Sequence, residues 1–347
     1  MNRKIQLRPL VASYLAESAS ATRHALNNHA LDVITQVAKG TVDPVEMEPA
    51  LLDTLIEMRV FRKVVGRIYL DTAVFLEEDI EAGNRLAIEY GEGLAERVIP
   101  AAAALRELHP NVLNFLVGIV AIGQSLHYSM KADGLAVDWS QWGGRFAKSK
   151  VDFEEVCEAS GQLGPDLQTK GLAKGTQFTA VLIGPGENSY LLKPTQLTGK
   201  ERGAYIHALN PFLTDAFPLL LTGRLDHPAL RNAAEQVGLC SNGQPESLVI
   251  TNETLQPYIS TLDEIAEINR AFAYSQLDRI HAFLCSTASG RQGVPVQNMN
   301  MHLWRYLRRG VARALYSQGV FTDRVSETGS ITVFYENNVE YLKQMFR

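Results

Sequence analysis

The sequence predicts an α+β chain that is predominantly helical. Three observations carry that expectation. Long stretches place apolar residues at three- and four-residue spacing, as in Leu26, Ala30, Val33 and Val37. Between them lie short β-rich runs closed by glycine turns, the clearest at 59–70 and 178–192. The composition, 46% hydrophobic and 20% charged, is that of an ordinary folded chain. At 347 residues the chain exceeds the roughly 250–300 that one core supports, so more than one domain is expected.

The elements follow in order. Leu10 to Ala38 reads as helix, ended by Gly40. Asp43-Pro44 starts the next helix, which carries Leu51, Leu52, Leu55 and Ile56. The period then changes at Arg59-Val60-Phe61-Arg62-Lys63-Val64-Val65-Gly66-Arg67-Ile68-Tyr69-Leu70, which fits a short hairpin turning near Gly66. Glu77 to about His109 is helical, opened by an acidic turn that suits the helix dipole and closed by Pro110. The run Val112 to Ile122 falls short of the ~20 apolar residues needed to cross a bilayer and reads as a buried core helix. Asp138 to Lys150 reads as an irregular connection, and Gly161, Gly164-Pro165, Gly171 and Gly175 as a linker. A hairpin is expected over 178–192, turning at Gly184-Pro185-Gly186-Glu187-Asn188. Helices are expected at 199–209 and 227–238, a strand at Leu248-Val249-Ile250, and a long helical stretch from Leu262 to Cys285. The chain closes with a helix from Trp304 to Gln318, a strand at Thr322 to Glu327, a turn at Thr328-Gly329 and a strand at Ser330 to Tyr335.

Charge is unevenly spread. Residues 1–75 carry nine Lys/Arg against eight Asp/Glu, residues 266–347 carry ten against six, and the stretch between has fourteen against twenty-four. An acidic middle flanked by relatively basic ends points to a partner that meets the ends. The three cysteines, Cys157, Cys240 and Cys285, form neither a disulfide framework nor a CxxC pair. With no secretory leader after Met1-Asn2-Arg3-Lys4-Ile5, a soluble, cytoplasmic protein with reduced thiols and no membrane partner is expected.

Both ends share the order helix, strand, turn, strand. At one end this is Leu51-Leu52-Asp53-Thr54-Leu55-Ile56-Glu57-Met58-Arg59-Val60-Phe61 leading into the turn near Gly66. At the other it is Leu307 to Phe321 leading into the turn near Gly329. The order resembles the second half of a winged helix-turn-helix domain, over about 50–60 residues at each end. Two features depart from that family: Gly310 lies inside the proposed recognition helix, and Pro295 to His302 lacks a turn before it. The resemblance implies winged-helix-like modules at 1–75 and 266–347, flanking a helical segment at 76–160 and an α+β region at 161–265. It also implies contact with double-stranded DNA, as a transcriptional regulator or part of a DNA-processing assembly.

The residues that would meet DNA are cationic. Arg305, Arg309 and Arg313 recur every four residues, with Arg308 adjacent, while Trp304, Leu307, Val311 and Leu315 fall on another side. A cationic helix stripe neutralises phosphates, and arginine reaches guanine edges. Arg62, Lys63 and Arg67 would sit on the first wing. The acidic total charge leaves a second use open, since winged helices also dock proteins or a second copy of themselves.

Enzyme signatures do not surface. The chain has no GxxxxGK[ST], no GxSxG elbow and no GxGxxG after a strand. His24 and His29 are wrongly spaced for HExxH, the remaining histidines are scattered, and Asp278 with His281 has no neighbouring nucleophile. No cofactor, metal site or catalytic residue is expected. An enzyme or ligand sensor would need an unreadable site within 110–260.

Overall fold

In the computed structural model the described residues are 5–13, 15–40, 47–108, 110–163, 167–174, 178–185, 228, 231–232, 240–241, 244–245, 249–321, 331–336 and 338–345. They are predominantly helical, with small sheets. Two compact units emerge, each assembled from three stretches of chain. The first takes residues 1–87, 128–163 and 273–307, and the second takes 88–127, 164–272 and 308–347.

The first unit opens on a strand, Leu7–Ser13 (β1), where the sequence reads as helix from Leu10. Its alternation buries Leu7 and Val11, and it is an edge strand, the place in a sheet where Pro9 is tolerated. Three helices follow: Ala16–Ala25 (α1), Asn28–Ala38 (α2) and Pro49–Glu57 (α3). The Asn27 side chain caps α2, accepting from the Ala30 N–H at 2.9 Å, and Pro49 at the start of α3 supplies a φ already suited to a helix.

Next comes the hairpin Phe61–Val64 (β2) and Arg67–Leu70 (β3), in the register Phe61↔Leu70 to Val64↔Arg67. Its two-residue turn is Val65-Gly66, with φ of 48° and 80°, the doubly left-handed turn that matches strand twist. Val74–Phe75 (β4) leads into Glu77–Ala102 (α4). The apolar run expected as a core helix is one, lying between Pro110–Leu113 (α5) and Ser125–Ala132 (α6); its residues 114–124 are π-helical, and 114–123 are buried. Ser149–Glu155 (β5) then forms the centre of a three-stranded sheet, antiparallel to β1 and parallel to β4.

The second unit holds a four-stranded sheet. Leu167–Lys174 (β6) and Phe178–Pro185 (β7) form an antiparallel pair, and short Cys240–Ser241 (β8), Gln244–Pro245 (β9) and Val249–Ile250 (β10) follow. Of the hairpin expected at 178–192, the first strand is β7, and 186–192 lie outside the described residues. So do the helix expected at 199–209 and most of the one expected at 227–238. The long helical stretch begins with Asn252–Leu255 (α7) and continues as Ile259–Ser275 (α8) and Leu277–Ser286 (α9). After Ala288–Arg291 (α10) and Val296–Ser317 (α11), Ile331–Glu336 (β11) joins the sheet in the order β10-β11-β7-β6, and Glu340–Met345 (α12) ends the description.

The described residues do not confirm the C-terminal winged-helix arrangement. The helix expected from Trp304 begins earlier, at Val296, and runs to Ser317 with no turn before the stretch read as the recognition helix. The strand read as the second half of a wing pairs on both edges with others, β7 on one side and β10 on the other. Residues 322–330 lie outside the described residues. Gly310 lies at a close crossing: a Cβ built on Gly91 of α4 would lie 2.2 Å from the Gly310 carbonyl atoms, so two helix backbones touch there.

Candidate functional site

Strand β5 carries the least expected chemistry in the chain. All seven of its residues are buried, yet Lys150, Asp152 and Glu154 recur at every second position and share one face. Against that face α11 brings His302, 0% exposed, and Tyr306, 2% exposed. Lys150 Nζ pairs with Asp152 Oδ1, and the Thr72 hydroxyl donates to Asp152 Oδ1 at 2.7 Å. His302 Nδ1 lies 3.7 Å from Asp152 Oδ2, and its Nε2 lies 3.4 Å from Glu154 Oε1. The Tyr306 hydroxyl donates to Glu154 Oε1 at 2.9 Å. Arg8, opposite Glu154 across the β1–β5 ladder, donates to Glu154 Oε2 at 2.7 Å from a half-exposed position. Phe75 closes the far side of the imidazole, ring centroids 4.3 Å apart.

Burial alone would raise the Asp152 carboxyl; the Lys150 ammonium, together with His302 and Arg305, outweighs it and holds the group well below the ordinary carboxylate range. A carboxyl whose folded pKa is depressed contributes stability that is present above its unfolded value, about 3.9, and is lost as pH falls below it. Urea midpoints should thus fall as pH is lowered from 5 to 3, and Asp152→Asn should flatten that dependence. Equal slopes in the two proteins would show that Asp152 is not a charged member of the cluster. The arrangement is sealed, with Arg8 as its exposed end, and it acts as an internal ionic clasp between β5 and α11.

The arginines expected as a solvent-facing stripe have separate surroundings. Arg305, Arg308 and Arg309 are half-buried, and Arg313 is exposed. The charge of Arg305 is the smallest of the influences that lower the Asp152 carboxyl. Arg308 packs its Cδ near Gly123 of the π-helical segment. Trp304, Leu307, Val311 and Leu315 are buried.

On the β2–β3 hairpin, Arg62 turns back onto the protein, donating to the Gly293 carbonyl at 2.5 Å and the Leu70 carbonyl at 3.3 Å. Lys63 and Arg67 are exposed, and between them Val65 is 99% exposed at the turn. The first unit also has a cavity of about 620 Å³, lined in part by Lys39, Glu77, Glu78, Asp79, Glu155 and Arg291. Two of its carboxylates serve helix starts: Asp79 accepts from the Leu76 and Ala288 N–H groups, and Glu155 from the Glu77 N–H. Burial raises the Asp79 carboxyl against those hydrogen bonds.

Among the described residues no group of His, Cys, Asp and Glu is placed to hold a metal ion, and no helix is long and apolar enough to cross a membrane. From sequence Lys150 falls in an irregular connection and no strand is expected at 149–155, where charged residues at alternate positions point to a solvent face. The available signal was the pairing of that alternation with Val151 and Phe153, which gives a strand with something to bury on each side. Comparison with protein-family models, with curated proteins and with solved structures finds no match to this chain.

Proposed function

We propose that the chain binds double-stranded DNA through its N-terminal module, residues 1–75, read as a winged-helix-like domain in which α1, α2 and α3 carry the β2–β3 hairpin as a wing. One observation carries this reading: a short hairpin on a helical base presents exposed Lys63 and Arg67 around a fully exposed Val65. Two cations at a projecting tip suit phosphates, and an apolar tip residue suits a groove. Arg62 is a lesser candidate contact, because its guanidinium is engaged by backbone carbonyls. The role that fits is a transcriptional regulator or a component of a DNA-processing assembly.

The test is duplex affinity as a function of salt. Lys63→Gln and Arg67→Gln should each weaken binding across sequences and lower the slope of log affinity against log salt by about one. Melting should be unchanged, since both side chains are exposed. Unaltered slopes in both variants would remove the hairpin from the interface.

A specific observation favours a second reading. Helix α3, where a base-reading helix would stand, exposes Asp53 and Glu57 and contains no Lys or Arg. An acidic helix suits a protein partner, so the same module could serve as a docking domain. Affinity for duplex that is undetectable at low salt would favour that alternative.

A further inference from the structure

Trp142 and three exposed cations form a surface that the hairpin does not use. Residues 139–148 contain no carboxylate. Buried Trp139 anchors the segment, and the Lys148 N–H closes it by donating to the Trp142 carbonyl at 3.1 Å. The Arg145 N–H donates to Glu57 Oε1 at 3.2 Å, which ties the segment to the end of α3. Just past that helix, Arg59 lays its guanidinium 4.8 Å from the centre of the Trp142 ring. Arg59, Arg145 and Lys148 are exposed, and Trp142 is half-buried.

The backbone singles out the same place. Arg59 N–H donates to Ile56 O and Val60 N–H to Leu55 O, both at 2.9 Å, a helix-ending turn whose left-handed residue is usually glycine. Here it is an arginine with φ of 56°. Lys148 has φ of 52°. Among the described residues three non-glycine residues sit at positive φ, and two of them are Arg59, whose guanidinium lies over Trp142, and Lys148, whose N–H meets the Trp142 carbonyl. Strained backbone of this kind concentrates where a side chain is needed for something other than stability.

We propose that this surface binds a single-stranded nucleic-acid segment, with an unpaired base stacking on the Arg59–Trp142 pair and phosphates meeting Arg145 and Lys148. A planar guanidinium over an indole extends a π-face on which any base can stack, and the two remaining cations neutralise the strand that follows. An acidic peptide would use the cations but gain nothing from the stack. The proposal extends the DNA-binding reading to unpaired nucleotides without depending on the hairpin.

The experiment measures binding of the full chain to oligothymidylate, to blunt duplex and to poly-glutamate at one salt concentration. Oligothymidylate is expected to bind, and Trp142→Leu and Arg59→Gly should each weaken it roughly tenfold, the loss of about one stacked base. Arg59→Gly relieves the left-handed strain, so its melting temperature should rise while its binding falls; a variant that merely misfolded would lose both. Lys63→Gln and Arg67→Gln should leave oligothymidylate binding intact. The inference is overturned if oligothymidylate binds unaffected by both stack variants, if poly-glutamate binds as tightly with the same dependence on Trp142, or if no nucleic acid binds. If the stack variants act while the hairpin variants leave duplex affinity unchanged, the hairpin reading alone fails. Hairpin variants that weaken duplex beside inert stack variants would sink this inference alone.

Discussion

Asp152→Ala should lower the stability of the chain by about 3–5 kcal/mol, the cost of removing one member of a buried charge cluster and stranding the rest. Burial already pushes the Lys150 ammonium toward losing its proton, and without Asp152 the buried amine would lose both the charge and the hydrogen bond that oppose this. His302 would lose one of the two carboxylates that flank its ring, and the Thr72 hydroxyl would lose one acceptor. A loss of that size is a large share of the ~5–15 kcal/mol that ordinary proteins possess. Urea unfolding followed by far-UV circular dichroism measures it. The paired replacement Lys150→Met with Asp152→Leu should recover much of the loss, because an apolar pair leaves no uncompensated charge. If the single variant is destabilised by under ~1 kcal/mol, the clasp does not hold β5 to α11.

How far the fold was legible depends on which force set each element. The β2–β3 hairpin and its turn were readable because Val65-Gly66 and the flanking β-rich residues are local signals. The buried run at 112–122 was readable because its apolarity is continuous, although nothing in it signalled a π-helix. Strand β1 was misread, since its partner β5 lies some 140 residues away and supplies the pairing that four or five local apolar residues do not specify. The partners of Ile331–Glu336 were out of reach for the same reason: it has the composition of a strand, but it pairs with Val249–Ile250 and Phe178–Pro185. Of the candidate residues, Lys63 and Arg67 could be placed on an exposed hairpin from sequence. The difference between Arg313 and Arg305 could not, because the charge of Arg305 acts on an aspartate of a distant strand. Arg59 and Trp142 were out of reach too, for their contact joins a helix end to a loop more than eighty residues on.

Gly91→Ala should cost about 3 kcal/mol, the upper end of what overpacking usually takes, even though alanine is the better helix former by ~1 kcal/mol. The added Cβ would stand 2.2 Å from Gly310 C and O and 2.7 Å from Val311 N. All three are backbone atoms, so no side-chain rotation can make room, and the second half of α4 must move away from the second half of α11. Gly83, one helical stretch earlier in α4, is the control. Its Cβ would meet Phe283 and Tyr306 side-chain atoms at 3.4 Å, an ordinary contact. Gly83→Ala should therefore be neutral or slightly stabilising. The two single variants, unfolded in urea under the same conditions, decide the matter: a Gly91→Ala midpoint that matches Gly83→Ala would mean that the two helices do not meet backbone to backbone.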